Sequence, residues 1–282
     1  MSRPRLFALV VLTMIAFAGN SLLCRLALHS TQIDPATFTT IRLCCGAIAL
    51  WLIVRVRDHA PVGGGNWVSA FALFAYAAAF SFAYVTLSAG TGALLLFGAV
   101  QATMIGWGLW NGERLQPRQV AGLGLASAGL VGLVLPGVSA PSPGGSLLMI
   151  GAGIAWGVYS LRGRGGGDAT RTTAGNFLRA VPFALALSAA ALGWTRVDGA
   201  GIACAIASGA LTSGVGYAIW YAALPLLSRS QSGIVQLAVP AIAALAGIAF
   251  LGEEPTLRLG ISTALILGGV AVAIAVRPAA RR

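Results

Sequence analysis

Apolar runs of about twenty residues recur from one end of this chain to the other, and their interiors hold almost no charge. A helix that is apolar on every side has no polar face for water, so it needs hydrocarbon or other helices around it. Composition points the same way: 9% of the 282 residues are charged and the mean hydropathy is +0.86. A soluble domain carries about 25% charged residues. The reading is a single all-α membrane domain over residues 1–282, with no soluble domain left over.

The expected spans are 6–28, 35–54, 67–87, 91–110, 118–136, 146–162, 173–193, 200–222, 231–251 and 257–276. The breaks fall at Asp34-Pro35, Pro61 to Gly65, Asn111 to Arg114, Pro136 to Gly145, Gly163 to Gly167, and Glu253 to Pro255. No small-residue cleavage site ends the first run before Arg25, so it reads as a retained span. The net charge is +11, and every basic residue is an arginine. With the N-terminus inside, the inside segments hold Arg3, Arg5, Arg55, Arg57, Arg114, Arg118, Arg162, Arg164, Arg171, Arg229, Arg277, Arg281 and Arg282. Only Arg196 and Arg258 fall in outside loops. This is the positive-inside pattern, not a nucleic-acid footprint. It predicts a multi-pass protein of the bacterial inner (cytoplasmic) membrane with both termini cytoplasmic.

The halves of the chain resemble each other. Ser88, Gly112, Glu113 and Gly129 recur 140 residues later as Ser228, Gly252, Glu253 and Gly269. At a shift of 137, Tyr76, Phe80 and Tyr84 fall on Ser213, Tyr217 and Tyr221, and Arg42 falls on Arg179. Each half, 6–136 and 146–276, then holds five spans. Five is odd, so the second copy enters the membrane from the opposite side, giving ten transmembrane helices in two inverted repeats.

Several short motifs carry a family resemblance. They are Phe17-Ala-Gly19, Arg42-Leu43, Asn111-Gly-Glu113, Gln119-Val-Ala-Gly122 to Ala128-Gly129, Ala155-Trp-Gly157, and Leu237-Ala-Val-Pro240 leading to Leu251-Gly-Glu253. With these the chain resembles the drug/metabolite transporter superfamily, specifically its EamA-type ten-span proteins. The run from Ser213 to Tyr221 looks most like the YddG-type aromatic amino-acid exporters. The resemblance implies alternating access around a central cavity and export of small metabolites. The chain departs from the pattern at Gln101, near where the second copy has Pro240.

Candidate site residues follow from helix geometry. Tyr76, Phe80 and Tyr84 are spaced i, i+4, i+8, as are Ser213, Tyr217 and Tyr221, so each triplet shares one helix face. Such faces either line a cavity or pack. A tyrosine offers apolar area, a hydroxyl and a π face for an ammonium group, which suits a neutral or aromatic amino acid. Gln101, Trp156 and Gln236 complete the expected substrate-binding set. An amide in hydrocarbon needs another helix or a ligand, and the same holds for Asn20 and Asn176. Arg42 and Arg179 are the costly residues: each either faces a carboxylate on an aqueous path or snorkels to the surface. Glycine and alanine at 124, 128 and 132, and at 260, 264 and 268, mark spans 5 and 10 as close-packed scaffold.

Other classes fit less well. Both histidines lie in loops, which leaves no Ser-His pair for an intramembrane protease, so no enzyme is expected. The four cysteines lack metal-ligand spacing, and no cofactor is expected. All seven acidic residues lie in loops or at span ends, which disfavours proton-driven export of cationic drugs. The expected partners are a small-molecule substrate and the lipid bilayer, with no nucleic acid. Anionic or sugar-linked metabolites form the alternative cargo, because Arg42 and Arg179 would serve them.

Overall fold

A computed structural model describes residues 3–58, 63–112, 116–135, 137, 140–163, 168–223, 226, 235–236 and 238–274. Glu113 and Ser228, on which part of the repeat reading falls, lie outside these residues. Among the described residues there is no strand, and the helices fall into ten rods. These are α1 (Arg3–Ser30), α2 (Pro35–Asp58), α3 (Trp67–Tyr84), α4 (Ala89–Trp110), α5 (Pro117–Val134), α6 (Pro143–Arg162) and α7 (Ala169–Ala190). They continue as α8 (Gly199–Ala223), α9 (Ala238–Leu251) and α10 (Leu257–Ile274). Six of them, α1, α2, α3, α4, α6 and α8, are long and apolar enough to cross a membrane. In α9 and α10 the apolar helix is shorter, while α5 and α7 carry arginine near their starts.

Polar caps explain why the rods break where they do. The side chains of Asn66, Ser88, Ser142, Asp168 and Asp198 each accept a backbone N–H from the first turn of the helix they precede. Asp34 does the same for α2 through Thr37 N at 2.9 Å. Proline opens α2, α5 and α6, where its missing N–H costs nothing. Gly112 and Gly252, 140 residues apart, follow α4 and α9 with φ of +83° and +66°. Each ends its helix in the left-handed conformation that glycine adopts freely. The glycine of each repeated Gly-Glu is therefore a helix stop.

The rods interlock across the two halves of the chain. α1 packs on α8 and α9, α6 packs on α3 and α4, α2 packs on α7, and α5 packs on α10. The outside of the bundle is apolar, with Phe250, Leu257, Val56, Leu147 and Phe7 among the exposed side chains. Trp51, Trp67, Trp107, Trp110 and Trp194, all near rod ends, are exposed as well. Buried inside are polar groups, including Asn20, Arg42, Ser208 and Ser213. A protein in water does not carry so large an apolar exterior.

The scaffold pair α5 and α10 meets on a different face from the one its period-four glycines mark. Gly124, Gly260 and Gly268 face open space. The close approach belongs to Gly129 and Gly269. A Cβ on Gly269 would lie 2.5 Å from Ala126 N and Gly122 O, and one on Gly129 would lie 2.8 Å from Leu265 Cβ. Stepping one residue along a helix turns the face by about 100°, which moves the seam from Ala128 to Gly129.

Candidate functional site: a buried arginine behind an aromatic cavity

The middle of α8 departs from the ordinary helix. Ser208–Val215 forms a π-helix, with α-helical turns on either side. The wider turn is frequent at functional sites. It brings Thr212 and Ser213 together onto one inward surface, with Tyr217 one turn on. Gly209 allows this segment to lie against α2, because a Cβ there would come within 2.9 Å of Arg42 Cα.

That surface walls an internal cavity of about 30 Å³. From the first half of the chain it is lined by Phe17, Asn20 and Ser21 of α1, Tyr76 and Phe80 of α3, and Leu96 and Phe97 of α4. From the second half come Trp156 of α6 with Thr212, Ser213 and Tyr217 of α8. The rings fill most of the space. Trp156 stacks on Tyr217 with centroids 5.3 Å apart, and it meets Tyr76 at 4.9 Å. Phe17 meets Tyr217 edge-on at 5.6 Å. Metabolite pockets measure about 300 Å³ or more, and this cavity has room for water-sized contents only.

Five of the sequence-predicted site residues line this cavity: Tyr76, Phe80, Trp156, Ser213 and Tyr217. The third member of each aromatic triplet closes an end instead. Tyr84 is fully buried, its hydroxyl donating to Ala89 O at 3.3 Å and its ring filling the space beside Gly92. Tyr221 lies beyond the cavity, beside the hydroxyls of Tyr159 and Thr173. Gln101 lines a separate pocket between α4, α5 and α10, with Gly98, Leu123, Leu130 and Val270. Gln236 precedes α9 and does not line the central cavity. Phe17, Leu96, Phe97 and Thr212 are lining residues that the helix-face reading passed over. Phe17 carried a signal, one turn before Asn20 on the same face of α1, whereas Leu96 and Phe97 carried none.

The two intramembrane arginines have different fates. Arg179 donates to Gly64 O at 2.8 Å and to Gly175 O at 3.0 Å, so it braces a loop at the rim of the bundle. Arg42 is 2% exposed and does not snorkel. Its Nη2 donates to Tyr76 Oη at 3.0 Å and its Nε to Ser213 Oγ at 3.4 Å, directly behind the cavity wall. Its guanidinium carbon lies 5.3 Å from the Tyr76 ring centroid and 5.0 Å from that of Phe80. No ion pair with a described residue compensates its charge, and Nη1 is buried with no hydrogen-bond partner. Asn20 completes the network. Its Nδ2 donates to Tyr76 Oη at 3.4 Å, and its Oδ1 accepts from Ser208 Oγ at 2.6 Å.

Polar clasps hold both ends of the bundle. At one end Glu253 accepts the Ala89 N–H at 2.7 and 3.0 Å and pairs with Arg25 Nε at 3.5 Å. Arg25 also donates to Tyr84 O at 3.1 Å and Val85 O at 3.2 Å. At the other end Arg57 pairs with Asp168, and Arg162 donates to Asn66 Oδ1 and Ser69 Oγ, both at 3.3 Å. There Asn176 accepts Asn66 N–H at 2.9 Å and meets Tyr159 Oη at 3.4 Å, so it acts as interhelical glue.

An apolar exterior, polar groups buried among the helices and a cavity walled by both halves of the chain are the features of a multi-pass membrane protein. The EamA-like transporter family model matches the chain twice, over residues 5–135 and 143–275. The chain belongs to this family and is a membrane transporter. An uncharacterized protein of Pseudomonas aeruginosa is 56% identical over 274 residues, covering 97% of this chain and 96% of that protein. A solved crystal structure superposes with a TM-score of 0.67 over 96% of this chain and 98% of its own, at 20% identity, a likeness of fold alone.

Proposed function

We propose that this transporter exports neutral amino acids, aromatic ones among them, across the inner membrane by alternating access around the central cavity. The observation that carries the reading is the box of Phe17, Tyr76, Phe80, Trp156 and Tyr217, contributed by α1, α3, α6 and α8. Aromatic faces and edges supply apolar area together with cation–π attraction for an ammonium group. Two further observations support ten spans in two inverted repeats, 6–136 and 146–276. The family model matches each half. The packing of α1 on α8 and α9 also mirrors that of α6 on α3 and α4. The arginine bias supports cytoplasmic termini. Anionic or sugar-linked cargo is the second reading, favoured by the buried charge of Arg42; Arg179, at the rim, no longer adds to it.

The test is flux into proteoliposomes with a panel of amino acids, comparing the parent protein with Tyr217→Ala. Removing one stacked ring forfeits about 0.5–1.5 kcal/mol beyond its area. Phenylalanine flux should therefore fall more than alanine flux. Equal losses would indicate damaged packing, and a parent that moves no amino acid would end the proposal.

A further inference from the structure

We infer that Arg42, with Tyr76 and Ser213, forms an anion subsite that holds the carboxylate of the cargo, so that a free carboxylate is required and an α-amino group is not. The inference rests on the amino-acid reading for the identity of the cargo, but its basis is a separate count of hydrogen-bond donors and acceptors.

A guanidinium has five N–H donors and no acceptor. Here one nitrogen is spent on Tyr76 and one on Ser213, and both acceptors are neutral hydroxyls. Nη1 is spent on nothing, although it is buried. Tyr76 Oη accepts from Arg42 and from Asn20 and donates to no described residue, so its own proton is unspent. Ser213 Oγ likewise accepts from Arg42 and donates to no described residue. The acceptor side is already full: Asn20 Oδ1 serves Ser208, with the Thr212 hydroxyl 3.3 Å away. The result is one positive charge without an ion pair and three donor groups without acceptors, namely Nη1 of Arg42 and the hydroxyls of Tyr76 and Ser213, the last two belonging to residues that line the cavity.

Burying such a set without a partner is costly, and the cost is recovered when an anionic acceptor arrives. A carboxylate has two oxygens with about four acceptor positions and no donor, which is the complement of this set. Phosphate is the poorer match. It carries more charge than one guanidinium offsets, and the rest of the wall is aromatic. The π-helix and Gly209 have a role in this arrangement. They let the backbone of α8 approach that of α2 at Arg42 and place the Ser213 hydroxyl 3.4 Å from Arg42 Nε.

The experiment measures binding apart from transport. Purified protein in detergent is titrated with 3-phenylpropionate, 3-phenylpropanamide and phenethylamine, and binding is read as thermal stabilisation. The same compounds are then used as competitors of labelled phenylalanine flux in proteoliposomes. The propionate should stabilise and compete, and the amide and the amine should each need at least tenfold higher concentration. Tyr76→Phe and Ser213→Ala keep the packing and remove one donor each. Each should bring the propionate-to-amide ratio several-fold toward unity, and Arg42→Gln should abolish it.

A purely structural Arg42 would leave that ratio unchanged in all three variants. An amide that binds as well as the propionate to the parent, or a propionate that does not bind at all, overturns the inference. Binding of the propionate with the expected selectivity, together with no amino-acid flux, would sustain the subsite and refute the amino-acid reading.

Discussion

Replacing Glu253 removes one negative charge from a junction where the ends of four helices meet. The carboxylate takes the first N–H of α4 at 2.7 Å and faces Arg25 of α1, which in turn holds the last carbonyl of α3. Side-chain exposures of 13% for Arg25 and 11% for Glu253 leave little water to substitute for either partner. A hydrogen bond to a charged group contributes about 1.5–3 kcal/mol and a neutral one about 0.5–1.5. Glu253→Gln keeps an acceptor for Ala89 and loses the charge, a difference of about 1–1.5 kcal/mol, or roughly tenfold in the open-to-closed ratio of this end. Glu253→Ala loses both, on the order of a hundredfold. The reporter is already in the chain. Cys24 is fully buried and lies one turn from Asn20 and Ser21 toward this end. With Cys44, Cys45 and Cys204 replaced by serine, a membrane-impermeant maleimide applied on the Glu253 face should label Cys24 slowly in the parent. Labelling should be about tenfold faster in Glu253→Gln and faster again in Glu253→Ala, following those energies. Equal rates in all three proteins, with transport intact, would show that the clasp does not close this end.

Three further outcomes are expected. Gly209→Ala should prevent accumulation of folded protein, since its Cβ meets the backbone of Arg42, whereas Gly124→Ala, facing open space, should shift the melting temperature little; membrane expression and thermal melts compare them. Burial acts to raise the pKa of Asp34, but hydrogen bonds from Thr37 and Arg196 outweigh it and hold the carboxyl below its ordinary value. That stabilisation is complete above the ordinary carboxylate range and is lost as pH falls through the depressed value, so hydrogen-exchange protection of the Arg196 amide should persist at neutral pH and collapse only in acid. The six acidic residues among the described ones fall in loops or at rod ends, so substrate should equilibrate in sealed vesicles without being concentrated by an imposed pH step; accumulation driven by that step would contradict the reading.

The parts of the site legible in the sequence are those that depend only on helix periodicity. Tyr76 with Phe80, and Ser213 with Tyr217, share faces at any packing, and all four reach the cavity. What needed three dimensions was where each face stops. Tyr84 and Tyr221 continue their stripes for one turn more and so pass the ends of a cavity only a few side chains long. Gln101 illustrates the opposite failure. Its polarity marks it as a site residue, but the rotation of α4 turns it toward α5 and α10 and away from the central cavity. The π-helix is invisible to a reading that assumes 3.6 residues per turn, and with it Thr212. Arg42 was visible as a charge within an apolar run. Its depth was not, because a side chain with so long a stem reaches the surface or the interior from the same backbone position.

The arginine clasps distinguish the two ends of the bundle in a way that bears on the direction of transport. Arg25 and Arg162 are 137 residues apart, the same shift that relates Arg42 to Arg179. Both grip α3, Arg25 at its last carbonyls and Arg162 at Ser69 and its cap Asn66, while Arg42 holds its middle through Tyr76. The grips are unequal. Arg25 has the Glu253 carboxylate and two carbonyls, whereas Arg162 has one amide oxygen and one hydroxyl, and the Arg57–Asp168 pair beside it is 42% and 37% exposed and contributes about 0–1 kcal/mol, so the Arg162 end opens at lower cost. Under the orientation proposed above, that end faces the cytoplasm, the side from which an exporter loads. The resting protein should then expose Cys24 to the maleimide faster from the Arg162 face than from the Glu253 face. The reverse order would assign the looser clasp to the wrong side for export.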